Sequence, residues 1–154
     1  MKLVSIALAA CILVCPAFAG DAVSSLGGRW PFEVAADSEF RRLAGESLAK
    51  KVEPLLETGP KSEVLGGRWV VSEGCRSHTC DTAAAFVAVD GETGGVWAWT
   101  TTSGKAGVTA IKNSTAAGTE PPPKVTTKLD GWRSRLSAGR RGPDVGVEAR
   151  YKLR

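Results

Sequence analysis

This sequence predicts an α+β domain: an antiparallel β-sheet of about five strands, flanked by an N-terminal amphipathic helix and a short C-terminal helix. Three observations carry that expectation. Apolar residues recur at three- and four-residue spacing between Asp37 and Glu57, the period of one helix face. From Arg68 onward the pattern changes to short runs rich in β-branched and aromatic residues, which suit a pleated sheet. The peptide Asp90-Gly91-Glu92-Thr93-Gly94 then separates two of those runs with the residues of a hairpin turn.

The chain begins with a segment that is set aside from the fold. Met1-Lys2 is a short basic start, Leu3 to Val14 is almost unbroken apolar sequence, and Ala17-Phe18-Ala19 is a small-x-small cleavage site. Residues 1–19 are therefore expected to be a secretory signal peptide, too short to remain as a membrane anchor. Leu8-Ala9-Ala10-Cys11 also reads as a lipoprotein cleavage box. Only ten residues precede Cys11, and the apolar run continues past it, so soluble export to the periplasm is the preferred expectation, with no stable membrane anchor. Residues 20–137 are then long enough to bury one core, and residues 138–154 form a basic tail or an edge strand.

Within the body, Phe40, Leu43, Ala44, Leu48 and Val52 line one face of a helix expected over residues 37–57. Asp37 or Ser38 caps it, and Glu46 and Lys50 form an i,i+4 pair. Pro54 bends or ends that helix, and Gly59-Pro60 closes the region. Strands are expected at Arg68 to Ser72, Ala84 to Val89 and Val96 to Thr100, with a weaker one near Val108 to Ile111. After Pro121-Pro122-Pro123, residues Val125, Leu129, Trp132 and Leu136 return to helical spacing, and prolines suit a helix start.

The formal net charge of +4 is unevenly spread. Residues 20–120 carry 10 Lys/Arg against 13 Asp/Glu, whereas residues 121–154 carry 9 against 3. The basic end reads as a solvated tail that maintains solubility. Nucleic acid is not an expected partner, because the chain is exported and shows no binding motif of that kind.

Cys75 and Cys80 are the two cysteines that remain beyond the leader, and in an oxidising compartment they should pair. The bridge closes a very short loop, so its main effect is local: it shapes Arg76, Ser77, His78 and Thr79 between two strands. These residues are polar and protrude, with His78, the chain's one histidine, near the apex. Taken without further context, the bridge reads as a structural staple and His78 as an exposed polar residue. Cys75, His78, Cys80 and Asp81 also offer four metal donors, but their spacing matches no common zinc pattern and thiols in this compartment prefer to pair. No metal and no cofactor is therefore expected. Nor is an enzyme, since a second histidine is lacking and no serine- or cysteine-based constellation is recognisable. Trp69, Trp97 and Trp99 suggest either a sugar-stacking platform or core packing, and core packing is the commoner use in a small sheet.

The peptide Cys75-Arg76-Ser77-His78-Thr79-Cys80 resembles the signature Cys-Lys-Pro-His-Asp-Cys of the Ivy family, the inhibitors of vertebrate lysozyme. Both cysteines and the histidine coincide in identity and spacing, and Arg76 keeps the basic character of the lysine position. Gly67-Arg68-Trp69-Val70-Val71 and Phe86 to Val89 resemble the family's flanking strands, and the likeness spans roughly Trp30 to Thr102. It implies a periplasmic protein inhibitor whose loop enters the cleft of a lysozyme-type glycosidase, where His78 hydrogen-bonds the catalytic carboxylates. The implied partner is c-type lysozyme, and the family resemblance also implies a homodimer. Two positions depart from the motif: its proline is Ser77 here, and its aspartate is Thr79, with Asp81 lying outside the bridge. A lytic transglycosylase of the producing cell, with one catalytic acid in a similar cleft, is accordingly the alternative target. A non-inhibitory envelope module of the same fold is the competing class of function.

Overall fold

The computed structural model describes residues 20–80, 82–101, 108–112 and 121–139. The expected leader over residues 1–19, with Cys11, and the expected basic tail or edge strand beyond residue 139 lie outside the described residues. Among those described, no helix is long and apolar enough to cross a membrane.

Four short helices precede the sheet: α1 (Gly20–Leu26), α2 (Pro31–Ala36), α3 (Ser38–Ala44) and α4 (Glu46–Val52), the last running into a 3-10 turn at Glu53–Leu55. The sheet follows as β1 (Glu63–Leu65), β2 (Trp69–Cys75), β3 (Ala84–Asp90), β4 (Val96–Thr101) and β5 (Val108–Lys112), and helix α5 (Pro123–Gly139) ends the described chain. All five strands pair in sequence order, each antiparallel to the next. The α+β class and the antiparallel meander agree with the sequence expectation.

The single helix expected over residues 37–57 is instead two helices and a turn. The break is at Gly45, whose φ of 74° leaves the right-handed helical region; its N–H still donates to Arg41 O, closing α3. The face itself is as the spacing implies. Phe40, Ala44, Leu48 and Val52 are buried, and Leu43 packs against them. The Asp37 carboxylate caps α3 by accepting from Glu39 N–H at 2.8 Å, and Lys50 pairs with Glu46 at 3.1 Å. Helices α1 and α2 and the three-residue edge strand β1 were not anticipated. Each is short: α1 and α2 are held by the packing of Ala22, Leu26, Val34 and Ala35, and β1 by its pairing with β2.

Side chains on successive residues of β2, β3 and β4 point to opposite faces, and both faces are buried. One carries Val70, Ala85, Val87, Val89, Val96 and Ala98 against α1 to α4. The other carries Trp69, Val71, Phe86, Trp97 and Trp99 against Val125, Leu129 and Trp132 of α5. The result is three layers, helices on each side of one sheet. The tryptophans belong to this second core. Trp69 and Trp97 stand 5.0 Å apart between ring centroids, and Phe86 lies 5.7 Å from Trp99 and 5.9 Å from Trp132. Their burial removes the sugar-stacking alternative.

One ion pair sets the end of the β2–β3 ladder. Asp90 is only 1% exposed and accepts from Arg68 Nε at 2.7 Å and Nη2 at 2.6 Å. It also accepts from Glu92 N–H at 2.9 Å and the Thr93 hydroxyl at 2.7 Å within the β3–β4 turn, and Glu92 closes on Arg68 from outside. Burial by itself pushes the Asp90 carboxyl up. The bonds from Arg68, Glu92 and Thr93 outweigh it, so the group is held below the ordinary carboxylate range. The folded carboxyl is therefore more acidic than the unfolded one. Its contribution is present above about pH 4 and fades as the pH falls through the lowered value. Asp90→Ala is expected to cost about 2 kcal/mol at neutral pH. In thermal melts, its deficit against the wild type should shrink in strong acid.

Candidate functional site

The β2–β3 connection, residues 76–83, is the end of the sheet opposite the Arg68–Asp90 pair. Its foot is closed twice. Cys75 pairs with Ala84 across the ladder, and Arg76 N–H donates to Ala83 O at 2.9 Å. Cys75 and Cys80 are joined by a disulfide, with Cα atoms 4.8 Å apart, the pairing expected of the two cysteines beyond residue 19. With both sulfurs spent on each other, neither is a thiolate donor, which undercuts the metal alternative. Among the described residues, no group of three or more metal-binding side chains is present.

Inside the bridge the backbone makes a tight turn. Thr79 N–H donates to Arg76 O at 3.0 Å, placing Ser77 and His78 at the two central positions. His78 has φ 64°, and it is the one described non-glycine residue with a positive φ. A negative φ at the first central residue and a positive φ at the second are the marks of a type II turn. That geometry ordinarily favours glycine at the second position, and a residue with a Cβ costs about 1 kcal/mol there. The imidazole is thus carried at the apex of a turn that its own side chain disfavours.

The four loop residues singled out by the sequence divide into two roles. Arg76, Ser77 and His78 are exposed, and His78 makes no hydrogen bond among the described residues. Thr79 is half-buried and turned inward: its hydroxyl donates to Arg76 O at 3.2 Å. Its carbonyl accepts from Thr82 N–H and Ala83 N–H at 2.9 and 2.8 Å, and from the Thr82 hydroxyl at 3.3 Å. Asp81, the remaining donor of the metal alternative, lies outside the described residues.

A second chain segment braces the loop, and the sequence did not announce it. After the 3-10 turn, buried Leu56 leads into Glu57, Thr58 and Gly59, which cross the end of β2. Thr58 and Cys75 exchange backbone bonds, Thr58 N–H to Cys75 O at 3.1 Å and Cys75 N–H to Thr58 O at 2.9 Å. Glu57 accepts from Ser77 N–H at 2.9 Å. The crossing is close enough that a Cβ on Gly74 would sit 3.0 Å from both Leu56 Cα and Thr58 O. On the opposite face Arg135 of α5 donates to the Glu73 carboxylate at 2.7 and 2.5 Å. Below the bridge a cleft of about 400 Å³ opens, lined by Cys75, Cys80, Trp132 and Leu136 together with that ion pair.

The family model described as "Inhibitor of vertebrate lysozyme (Ivy)" matches residues 35–135, a span that contains the helical face, the sheet, the bridged loop and most of α5. The chain belongs to the Ivy family. Neither the curated proteins nor the solved structures returned a match. Membership supports a lysozyme-inhibitor function and a lysozyme-type protein target, and it is consistent with a protein that is not an enzyme. In this Ivy domain the bridged loop presents exposed Arg76, Ser77 and His78 at the end of a packed sheet, and it coincides with the residues that carry the sequence resemblance.

Removing the bridge tests how far it acts locally. Cys75→Ser combined with Cys80→Ser should lower global stability by about 2 kcal/mol, as expected for so short a loop. Amide exchange should accelerate strongly at residues 76–80 and little in β3 and β4. Uniform acceleration across the sheet would show that the bridge acts on the whole fold instead.

Proposed function

We propose that this protein is a periplasmic inhibitor of lysozyme-type peptidoglycan glycosidases that works by lodging the Cys75–Cys80 loop in the target's catalytic cleft. The observation that carries this reading is His78: an exposed imidazole without a partner among the described residues, raised on a cross-linked turn in a strained conformation. Strain kept at an exposed position is what a binding element shows when its bound shape is built in beforehand.

The chemistry follows from the target. A retaining glycosidase holds two carboxyl groups about 5 Å apart around the scissile bond. An imidazole between them donates from one ring nitrogen and accepts or donates at the other, so it satisfies both carboxyl groups without offering a glycosidic bond. Arg76, exposed beside it, adds a charge-assisted contact to an acidic group on the cleft wall. Because the turn is already formed, little chain entropy is lost on binding, which is how small protein inhibitors convert modest contact area into affinity. The acidic balance of residues 20–120 suits a cationic lysozyme, while the basic residues of 121–154 oppose it.

A lytic transglycosylase of the producing cell is the second target class, and Thr79 favours it. The residue in the place of the motif's aspartate spends its hydroxyl on Arg76 O, so position 79 brings no carboxylate beside His78. A cleft with a single catalytic acid requires the imidazole alone.

Purified mature protein is to be assayed against c-type lysozyme and a lytic transglycosylase in parallel. His78→Ala should weaken inhibition of the true target at least tenfold, about 1.4 kcal/mol, with an unchanged circular dichroism spectrum. Equal inhibition by wild type and His78→Ala would reject the plug mechanism. Inhibition of neither enzyme would leave the envelope-module reading in its place.

A further inference from the structure

The side chain that steadies the loop from outside the bridge is Glu57, and its partner is the one backbone N–H at which this chain differs most from the family motif. Ser77 occupies the first central position of the type II turn. Proline is favoured there because its ring presets φ near −65°, and proline is what the resembled motif carries. Serine gives up that constraint but regains an N–H. The Glu57 carboxylate accepts from that N–H at 2.9 Å, a bond that proline cannot make.

We propose that Glu57 is the positioning residue of the inhibitory loop: through the Ser77 N–H it holds the turn that presents His78, replacing by a hydrogen bond what a proline would supply covalently. Three further observations support this assignment. Glu57 is delivered to the loop by a rigid route, because buried Leu56 precedes it and the Thr58–Cys75 backbone pair follows it. The route depends on a close approach over Gly74, where a Cβ would meet Leu56 Cα and Thr58 O at 3.0 Å. And the turn needs external support, since His78 sits at φ 64° and relaxation to a negative φ would swing the imidazole away. The bridge fixes the ends of the loop at Cys75 and Cys80. Glu57 acts between them, next to the histidine.

The inference rests on the inhibitory reading of the loop, so its test combines one readout of the loop itself with one of inhibition. Ser77 amide exchange is followed by NMR in the full mature protein, and inhibition of c-type lysozyme is measured for the same samples. In Glu57→Ala, Ser77 exchange should rise about tenfold and affinity should fall three- to tenfold, while the melting temperature stays within about 2 °C because Glu57 is exposed. Glu57→Gln keeps an acceptor oxygen and should restore both. In a Ser77→Pro background, which has no N–H at position 77 for Glu57 to hold, Glu57→Ala should be silent, with affinity equal to that of Ser77→Pro alone. A merely structural role would move the melting temperature and would not be rescued by Ser77→Pro. Unchanged Ser77 exchange in Glu57→Ala overturns the proposal, as does an equal cost of that substitution in both backgrounds. If the wild type inhibits no lysozyme, the proposed target fails, and the exchange data still decide whether Glu57 holds the turn.

Discussion

The register of β2 against β3 is the constraint on which the rest of this structure depends. It runs from Trp69 opposite Asp90 to Cys75 opposite Ala84. Because side chains alternate between faces, a slip of one residue would exchange the contents of the two cores. Trp69 and Val71 would turn toward α1 to α4, and Val70 toward α5. The same slip would separate Arg76 from Ala83 and open the foot of the loop. Register is pinned at one end by the buried Asp90 carboxylate, which ties Arg68 to the β3–β4 turn. At the other end it is pinned by the disulfide and by the Thr58–Cys75 crossing.

A well-determined ladder lets the sheet end carry strain. The left-handed conformation of His78 costs about 1 kcal/mol, a sum that an isolated loop would shed by relaxing. Here the loop is held by the bridge, by the inward bonds of Thr79, and by the carboxylate of Glu57 against Ser77 N–H. Each is weak or local by itself. Together they leave few alternative shapes, which favours recognition because a preformed turn loses less entropy when it meets a cleft. The side chains that remain outward, Arg76, Ser77 and His78, each have a charge or hydrogen-bonding groups to offer.

How much of this was legible beforehand can be judged from particular residues. The buried stripe of Phe40, Ala44, Leu48 and Val52 was readable because helical spacing survives the break at Gly45; the break itself was not, since an isolated glycine in a helical pattern is often tolerated. The Cys75–Cys80 loop was readable because the expected leader takes Cys11 and Cys15 with it and leaves these two cysteines to pair. Strand β1 escaped because three residues, two of them exposed, leave no alternation to detect. Helices α1 and α2 escaped for a similar reason, being too short for a periodic signal. The tryptophans left two uses open until α5 was seen to cover their face.

What the amino-acid sequence determined unaided is local. It specified the α+β pattern, the capped helical face, the β3–β4 turn, and a short cysteine loop with one histidine, because spacing and turn chemistry act over a few residues. Tertiary structure decided which face of the sheet each tryptophan enters, that Thr79 turns inward, and that Glu57 reaches Ser77 from twenty positions away. These outcomes depend on where the ladder and the crossing over Gly74 bring distant segments together, and no periodicity along the chain records such a meeting.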